Sequence, residues 1–270
     1  MNKKRLDKLL TDKKLVESRE KAAELIKAGN IKVNGKIIKK PSYKVDENSK
    51  LEVLKEFPYV SRAGLKLERA LHKFNINVKD KVCLDIGAST GGFTDCLLKH
   101  GAKKVYAVDV GKNQLHETLK TNPKVISYEK TDARILTQNH IKDKIDILVS
   151  DVSFISVLKV LPPVLKFLKE DFEGVILIKP QFELSPEEVN RSVIKDKQKH
   201  IKAIKKVLEG LNKLGIGVVN LDYSYPFGTD GNIEFLANIK FKDNNLDFLN
   251  IEEIVENAHR KLKEEKNGSS

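Results

Sequence analysis

The residues best placed to do chemistry begin with the run DIGASTGGFTD, residues 85–95, which lies where an apolar stretch gives way to a helical one. In an open α/β sheet that junction is where ligands bind. Its glycines, Gly87, Gly91 and Gly92, are not spaced as in the dinucleotide pattern G-x-G-x-x-G, and no Lys-Ser/Thr pair follows to complete a phosphate loop. Both features weigh against nicotinamide dinucleotides and ATP. Asp109 closes the next apolar stretch, 22 residues after Gly87, where a carboxylate accepts hydrogen bonds from both ribose hydroxyls of an adenosine. Charge narrows the choice: Asp85 and Asp95 flank the loop, while Asp132 and Asp151 end later strands or open later loops. Such an acidic rim repels a diphosphate and suits a cofactor whose reactive end carries a sulfonium and an ammonium. The cofactor read from these residues is S-adenosylmethionine.

A second set pairs two lysines with two carboxylates. Lys66 precedes the first long apolar stretch, Asp151 follows the fourth, Lys179 follows VILI in the fifth, and Glu234 opens the last, in GNIEF. A lysine beside an apolar run is ordinarily a snorkelling surface side chain. Lys179 differs because it directly follows the core of a central strand. With Lys66 and the two carboxylates, it is expected to surround the point where the cofactor methyl emerges.

Holding these groups together requires a scaffold, and the chain spells one out. From residue 81 onward KVCLDIG, KVYAVDV, KVISYE, KIDILVSD, GVILIKP, IGVVNLDYSY and IEFLANIKF alternate with amphipathic helical segments. Near-continuous apolar strands between helices predict an α/β fold with a mostly parallel sheet buried on both faces. Only PFGTDGN separates the last two, too little for a crossover helix, so the sheet is expected to end in an antiparallel hairpin. A helix is predicted over SRAGLKLERALHKF with Ser61 as its cap, and another over 250–265, with the closing NGSS disordered. Ahead of this, residues 3–56 read as a small α+β unit. Leu6, Leu9 and Leu10 form a helical stripe, Ser18 caps a helix that stops at Gly29, and Asn34-Gly35 turns a hairpin. Pro58 in KEFPY marks a hinge. The expected domains are 1–56 and 61–266, joined by a 57–60 linker.

Composition sets the class. The chain has 270 residues, a formal charge of +12 and two cysteines. That length buries a core without disulfides, and Cys83 and Cys96 lack both redox and zinc spacing, so they read as reduced packing residues with no metal expected. The stretch 146–168 is broken by Asp151, Lys159, Pro162, Pro163 and Lys166, so no membrane span is expected, and no secretory signal is readable. The expected compartment is the cytoplasm, with a monomer as the default state. Residues 1–60 hold 16 Lys+Arg against 9 Asp+Glu, and the remaining 210 hold 34 against 29. Clustered excess cations on a compact module point to an anionic polymer, because they gain from counterion release.

RLDKLL followed by ESREKAAELIKAGNIKVNGKIIKKPSYKV resembles the RNA-binding domain named after small-subunit ribosomal protein four. The resemblance implies that Arg5, Arg19, Lys21, Lys32 and Lys36 face folded RNA. SRAGLKL, DIGASTGGFTD, DVSFIS and IKPQFE, with the order Lys-Asp-Lys-Glu, resemble the TlyA family of ribosomal RNA 2′-O-methyltransferases, whose Rossmann-like catalytic domain is of the FtsJ type. That resemblance spans both domains and implies that Lys66, Asp151, Lys179 and Glu234 are the catalytic four. It implies a cofactor site of Asp85, Gly87, Ser89, Gly91, Gly92, Phe93, Asp109 and Asp132, and a ribosomal RNA or subunit as partner, with a cytidine ribose as acceptor. The loop RSVIKDKQKH, 191–200, corresponds to a substrate-side loop.

A ribose hydroxyl is a poor nucleophile until its proton is removed. Lys179 is the expected base, which near neutrality requires its pKa to fall from about 10.4 toward ~7–8. Phe154, Phe182, Tyr223, Tyr225 and Phe227 are candidates to stack a flipped base. The rival readings are a non-catalytic RNA binder, a haemolysin and a nicotinamide-dependent dehydrogenase.

Overall fold

The structure is a computed structural model that describes residues 3–54, 57–189, 193–228, 231–241 and 249–267. It divides into two compact units, 1–62 and 63–270.

The first unit carries β1 (Lys3–Arg5), α1 (Leu6–Asp12), α2 (Arg19–Lys27), β2 (Ile31–Val33), β3 (Lys36–Ile37), β4 (Lys44–Asp46) and β5 (Leu51–Val53). Ser18 caps α2 by accepting the Lys21 N–H at 3.1 Å, satisfying a donor that has no helical partner. Asn34 and Gly35 take φ of 49° and 80°, the left-handed pair that a two-residue hairpin turn needs, and β2 pairs with β3 across it. β5 lines the other side of β2, and β1 pairs with β4. Leu6, Leu10, Leu25, Ile26 and Ile31 are fully enclosed at the centre of this unit. The segment read as a linker packs onto it. Tyr59 is buried, the Tyr59 carbonyl accepts from Lys21 Nζ at 2.9 Å, and the Arg62 N–H donates to Glu24 at 3.0 Å. Lys55 and Glu56 lie outside the described residues.

The second unit opens with α3 (Ala63–Lys73), two residues past the expected cap Ser61. There follow β6 (Val82–Ile86), α4 (Gly92–Lys99), β7 (Lys104–Val108), α5 (Glu117–Lys120), β8 (Val125–Tyr128), β9 (Ile145–Ser150), α6 (Val157–Val160) and β10 (Leu168–Ile178). The chain closes with α7 (Pro180–Glu183), α8 (Lys197–Asn212), β11 (Ile216–Tyr223), β12 (Phe235–Phe241) and α9 (Ile251–Asn267). Seven strands form one sheet in the order β11-β12-β10-β9-β6-β7-β8. β6 to β10 are mutually parallel, and β12 runs antiparallel to both β10 and β11. The terminal hairpin is therefore not simply appended: its second strand inserts beside β10 and leaves β11 at the edge. Ile201, Ile204 and Val207 of α8 and Val255 of α9 share one apolar cluster with Leu84, Tyr106, Leu148, Ile176 and Ala237 of the strands. Cys83 and Cys96 are buried and form no disulfide, and burial pushes the Cys83 thiol pKa up, as expected of packing residues. Among the described residues no helix is long and apolar enough to cross a membrane. The closing residues 268–270 lie outside the described set.

Candidate active site

Strand register builds the site. Ile86 pairs with Ser150 and with Val108, so Gly87, Asp151 and Asp109, each one residue further on, emerge together at the carboxyl edge. Ile178 of β10 pairs with Phe235 of β12, so Lys179 and Glu234 flank the same rung from opposite chain directions. Parallel strands thus deliver Gly87, Asp109, Asp151 and Lys179 from their ends, and the inserted antiparallel strand delivers Glu234 from its start.

Gly87 has φ +83°, and a Cβ there would stand 3.0 Å from the Asp151 carbonyl oxygen. Only glycine lets these two strand ends approach so closely. Gly91, at φ +98°, caps α4. The Asp109 carboxylate accepts the Ser89 N–H at 2.8 Å and the Gly111 N–H at 2.7 Å, which ties the glycine loop to the end of β7. A cavity of about 530 Å³ opens here, lined by Gly87, Ser89, Asp109, Asp132, Asp151 and Phe154 among others.

Asp85, Gly91, Gly92 and Phe93 do not line that cavity and are buried. Asp85 is fully enclosed: its Oδ2 accepts from the Thr94 hydroxyl at 2.7 Å, and its Oδ1 has no hydrogen-bond partner. Burial pushes its pKa up to about 7, with Asp151 and Asp109 adding to the rise against the Thr94 bond. A buried acid with an orphaned oxygen, felt by the cavity-lining carboxylates Asp109 and Asp151, fits a cofactor that brings positive charge. Asp95 is turned away from the cavity into an ion pair with Lys99 at 2.9 Å. Asp132 reaches the cavity but accepts on Oδ1 from Arg134 Nε and on Oδ2 from Arg134 Nη2, and these hydrogen bonds keep its carboxyl below the usual carboxylate range.

The four expected catalytic groups come together as two ion pairs. Lys179 Nζ stands 2.6 Å from Asp151 and donates to Ser153 Oγ at 2.8 Å. Lys66 Nζ donates to Glu234 at 2.5 Å, and both partners are almost wholly buried. Burial alone would raise the Asp151 pKa, but the charges of Lys66 and Lys179 outweigh it and hold the carboxyl below its ordinary value.

Three supporting groups escaped the sequence reading. Arg69, one turn after Lys66, donates to Asp222 at 2.6 Å and stacks 4.7 Å over the Tyr223 ring, fixing α3 to the end of β11. Asp222 is the second, itself buried and also approached by Lys73 at 3.4 Å. Glu183 is the third: 2% exposed, it accepts the Val157 N–H at 2.9 Å and the Ser156 hydroxyl at 2.5 Å. Burial raises its pKa. It joins the DVSFIS loop to the IKPQFE turn, so Ser153 and Lys179 are placed by one carboxyl. Only the i,i+3 spacing of Lys66 and Arg69 carried any sequence signal.

Phe154 is 91% exposed and sits at φ 64°, a left-handed conformation that costs a bulky residue free energy. The Phe182 ring lies 5.0 Å away. Tyr223, Tyr225 and Phe227 instead pack with one another, and Phe227 is buried.

In the first unit the expected RNA-facing cations divide. Arg5 and Arg19 both reach Asp7, at 2.7 and 3.5 Å, and the Arg5 guanidinium holds that carboxyl below its usual range. Lys21 is committed to the Tyr59 and Val60 carbonyls. Lys36 is exposed and Lys32 half-buried on the hairpin. Arg191 and Ser192 of the 191–200 loop lie outside the described residues, and from Lys197 that segment is the start of α8.

Residues 59–241 match the FtsJ-like methyltransferase family, and residues 4–51 match the S4 domain. Hemolysin A of Brachyspira hyodysenteriae is 44% identical over 86% of this chain and 98% of its own length. The 16S/23S rRNA (cytidine-2′-O)-methyltransferase TlyA of Mycobacterium tuberculosis is 40% identical over 86% of this chain and 87% of its own. A solved structure from Streptococcus thermophilus, named as a hemolysin, is 38% identical with a TM-score of 0.80, covering 99% of each chain. The paired lysines and carboxylates at the sheet edge thus sit in a chain that belongs to the FtsJ-like methyltransferase family, in the TlyA group whose methyltransferase domain follows an S4 domain.

Proposed function

We propose that the protein methylates the 2′-hydroxyl of a ribose in ribosomal RNA, on a cytidine as in its named TlyA relatives. The observation that carries this reading is the Lys179–Asp151 pair, whose carboxylate lines the cavity, with Lys66, itself paired with Glu234, acting on the same carboxylate. S-adenosylmethionine, when bound, supplies a methyl on a cationic sulfur. Asp109 and Asp132 would hold its adenosine end, and Asp85 and Asp151 would face its positive charge.

The chain's own groups do the rest. Lys179 Nζ, once it has released its own proton to solvent, takes the hydroxyl proton, and Asp151 at 2.6 Å stabilises the ammonium that re-forms. Ser153 Oγ accepts from the same nitrogen and fixes its direction. Lys66, neutralised by Glu234, adds a second cation beside Asp151 and steadies negative charge developing on the attacking oxygen. Phe154, standing into solvent at the cavity rim, offers a face on which the displaced base stacks. The first unit supplies RNA affinity through the exposed cations of its hairpin, Lys36 foremost.

The test replaces Lys179 by alanine and measures methyl transfer from labelled cofactor to ribosomal subunits alongside cofactor affinity. Turnover is expected to vanish while affinity stays within about threefold, less than 1 kcal/mol. Wild-type turnover in the variant removes Lys179 from the role, and failure of the wild type to methylate any ribosomal RNA leaves a non-catalytic RNA binder.

A further inference from the structure

Away from the cavity, α3 and α4 bring Glu68, His72 and His100 together. Glu68 and His72 stand four residues apart on α3 and so share one face. His100 follows the last residue of α4 as its cap. One ligand atom from each residue lies within 4.8 Å of the other two. The two imidazoles meet edge to face with centroids 5.8 Å apart. Two rings bound to one ion at about 2.0–2.1 Å per nitrogen place their centroids roughly 5–6 Å apart, so this spacing needs little adjustment.

The protonation of His100 is an independent pointer. Its Nδ1 lies 2.9 Å from the Cys96 carbonyl oxygen, which can only accept, so Nδ1 carries the hydrogen and the Nε2 lone pair is left for a ligand. A backbone carbonyl orienting the far nitrogen is the usual support behind a metal-bound histidine. Two imidazoles and one carboxylate suit a borderline cation, whereas magnesium and calcium ask for oxygen alone.

We propose that Glu68, His72 and His100 form a site for a divalent d-block cation of the zinc class, with solvent completing its coordination. The ion would cross-link α3, which carries Lys66, to α4, which begins at the glycine loop. The site stands independently of the proposed methyl transfer.

The experiment titrates tag-free full-length protein with Zn²⁺ against a chromophoric chelator and records thermal unfolding with and without the metal. The wild type is expected to bind one equivalent and to unfold at a higher temperature with it, while Mg²⁺ at the same concentration does nothing. His72→Ala, at an exposed position that the fold does not need, and His100→Ala should each weaken binding by roughly tenfold or more, with Glu68→Gln in the same direction. Zinc binding unchanged in both histidine variants, or absent from the wild type, overturns the assignment.

Discussion

Replacing Asp85 by asparagine is expected to stabilise the cofactor-free protein, and to do so only at neutral and alkaline pH. The carboxyl is fully buried with one oxygen unpartnered, and its pKa rises from 3.8 to about 7 on folding. A folded pKa above the unfolded one means that folding is unpenalised below pH 3.8 and loses stability as pH climbs to about 7, where the penalty levels off. Three pH units at 1.36 kcal/mol each make that loss about 4 kcal/mol. Asparagine keeps the acceptor for Thr94 but buries an amide N–H where Oδ1 stood, which returns about 1–2 kcal/mol. The net gain should be about 2–3 kcal/mol at pH 8, falling through zero near pH 5 and becoming a loss of about 1–2 kcal/mol toward pH 4, where only the amide cost is left. Urea unfolding of both proteins at pH 4.5, 6 and 8 measures it. The same variant should bind the cationic cofactor more weakly, since it has discarded the charge whose burial was being penalised. A stability difference that stays flat across this range would refute the reasoning, because the destabilisation would then not arise from ionising Asp85.

Acid should expose a second titration of opposite sign. His200 is enclosed between α8 and α9 with Nδ1 2.9 Å from His259 Nε2, and burial, reinforced by His259, lowers its pKa from 6.5 to about 4. Stability should therefore be full above pH 6.5 and fall by about 3 kcal/mol on descending to pH 4. His200→Leu should flatten that slope, and unchanged urea midpoints against pH would contradict it. Glu183→Ala should lower kcat by roughly 10–100-fold while leaving the cofactor Kd nearly unchanged, since it misplaces Ser153 and Lys179 without touching the Asp109 end; equal losses in both would mark it as merely structural. Phe154→Ala should weaken kcat/KM for RNA by about 1–3 kcal/mol without lowering Tm; unchanged kcat/KM would deny it a stacking role.

The strands of the second unit were legible because runs such as KVCLDI and GVILI are apolar on both faces, a pattern that only a covered central strand needs. The Asn34-Gly35 turn was legible because few residue pairs accept its two positive φ angles. The insertion of β12 between β10 and β11 was not, since strand order depends on which edge is still open, not on any residue in β12. Three-residue strands such as β1 and β4 are too short to show a period. Asp151, Lys179 and Glu234 stand at the ends of apolar runs, which sheet register carries to one edge, whereas Lys66 is brought there by α3. The same logic overreached with Asp95, whose helical i,i+4 partner Lys99 claims it locally. The resemblance of the first unit implied that Lys21 faces RNA; its ammonium donates to the Tyr59 and Val60 carbonyls. Glu183 and Asp222 act through partners distant in sequence, and no spacing rule reports such contacts; only the i,i+3 spacing of Arg69 from Lys66 left a trace.

The most direct measurement of the central claim is the position of the methyl group. Ribosomal subunits lacking the modification would be incubated with wild-type protein and methyl-labelled cofactor, then hydrolysed with alkali. A 2′-O-methyl blocks cleavage of its own linkage, so the label is predicted to appear in an alkali-resistant dinucleotide, and in none when Lys179→Ala replaces the wild type. Label released on a mononucleotide, with the methyl on a base, would contradict the assignment of Lys179, Asp151, Lys66 and Glu234 to a sugar hydroxyl.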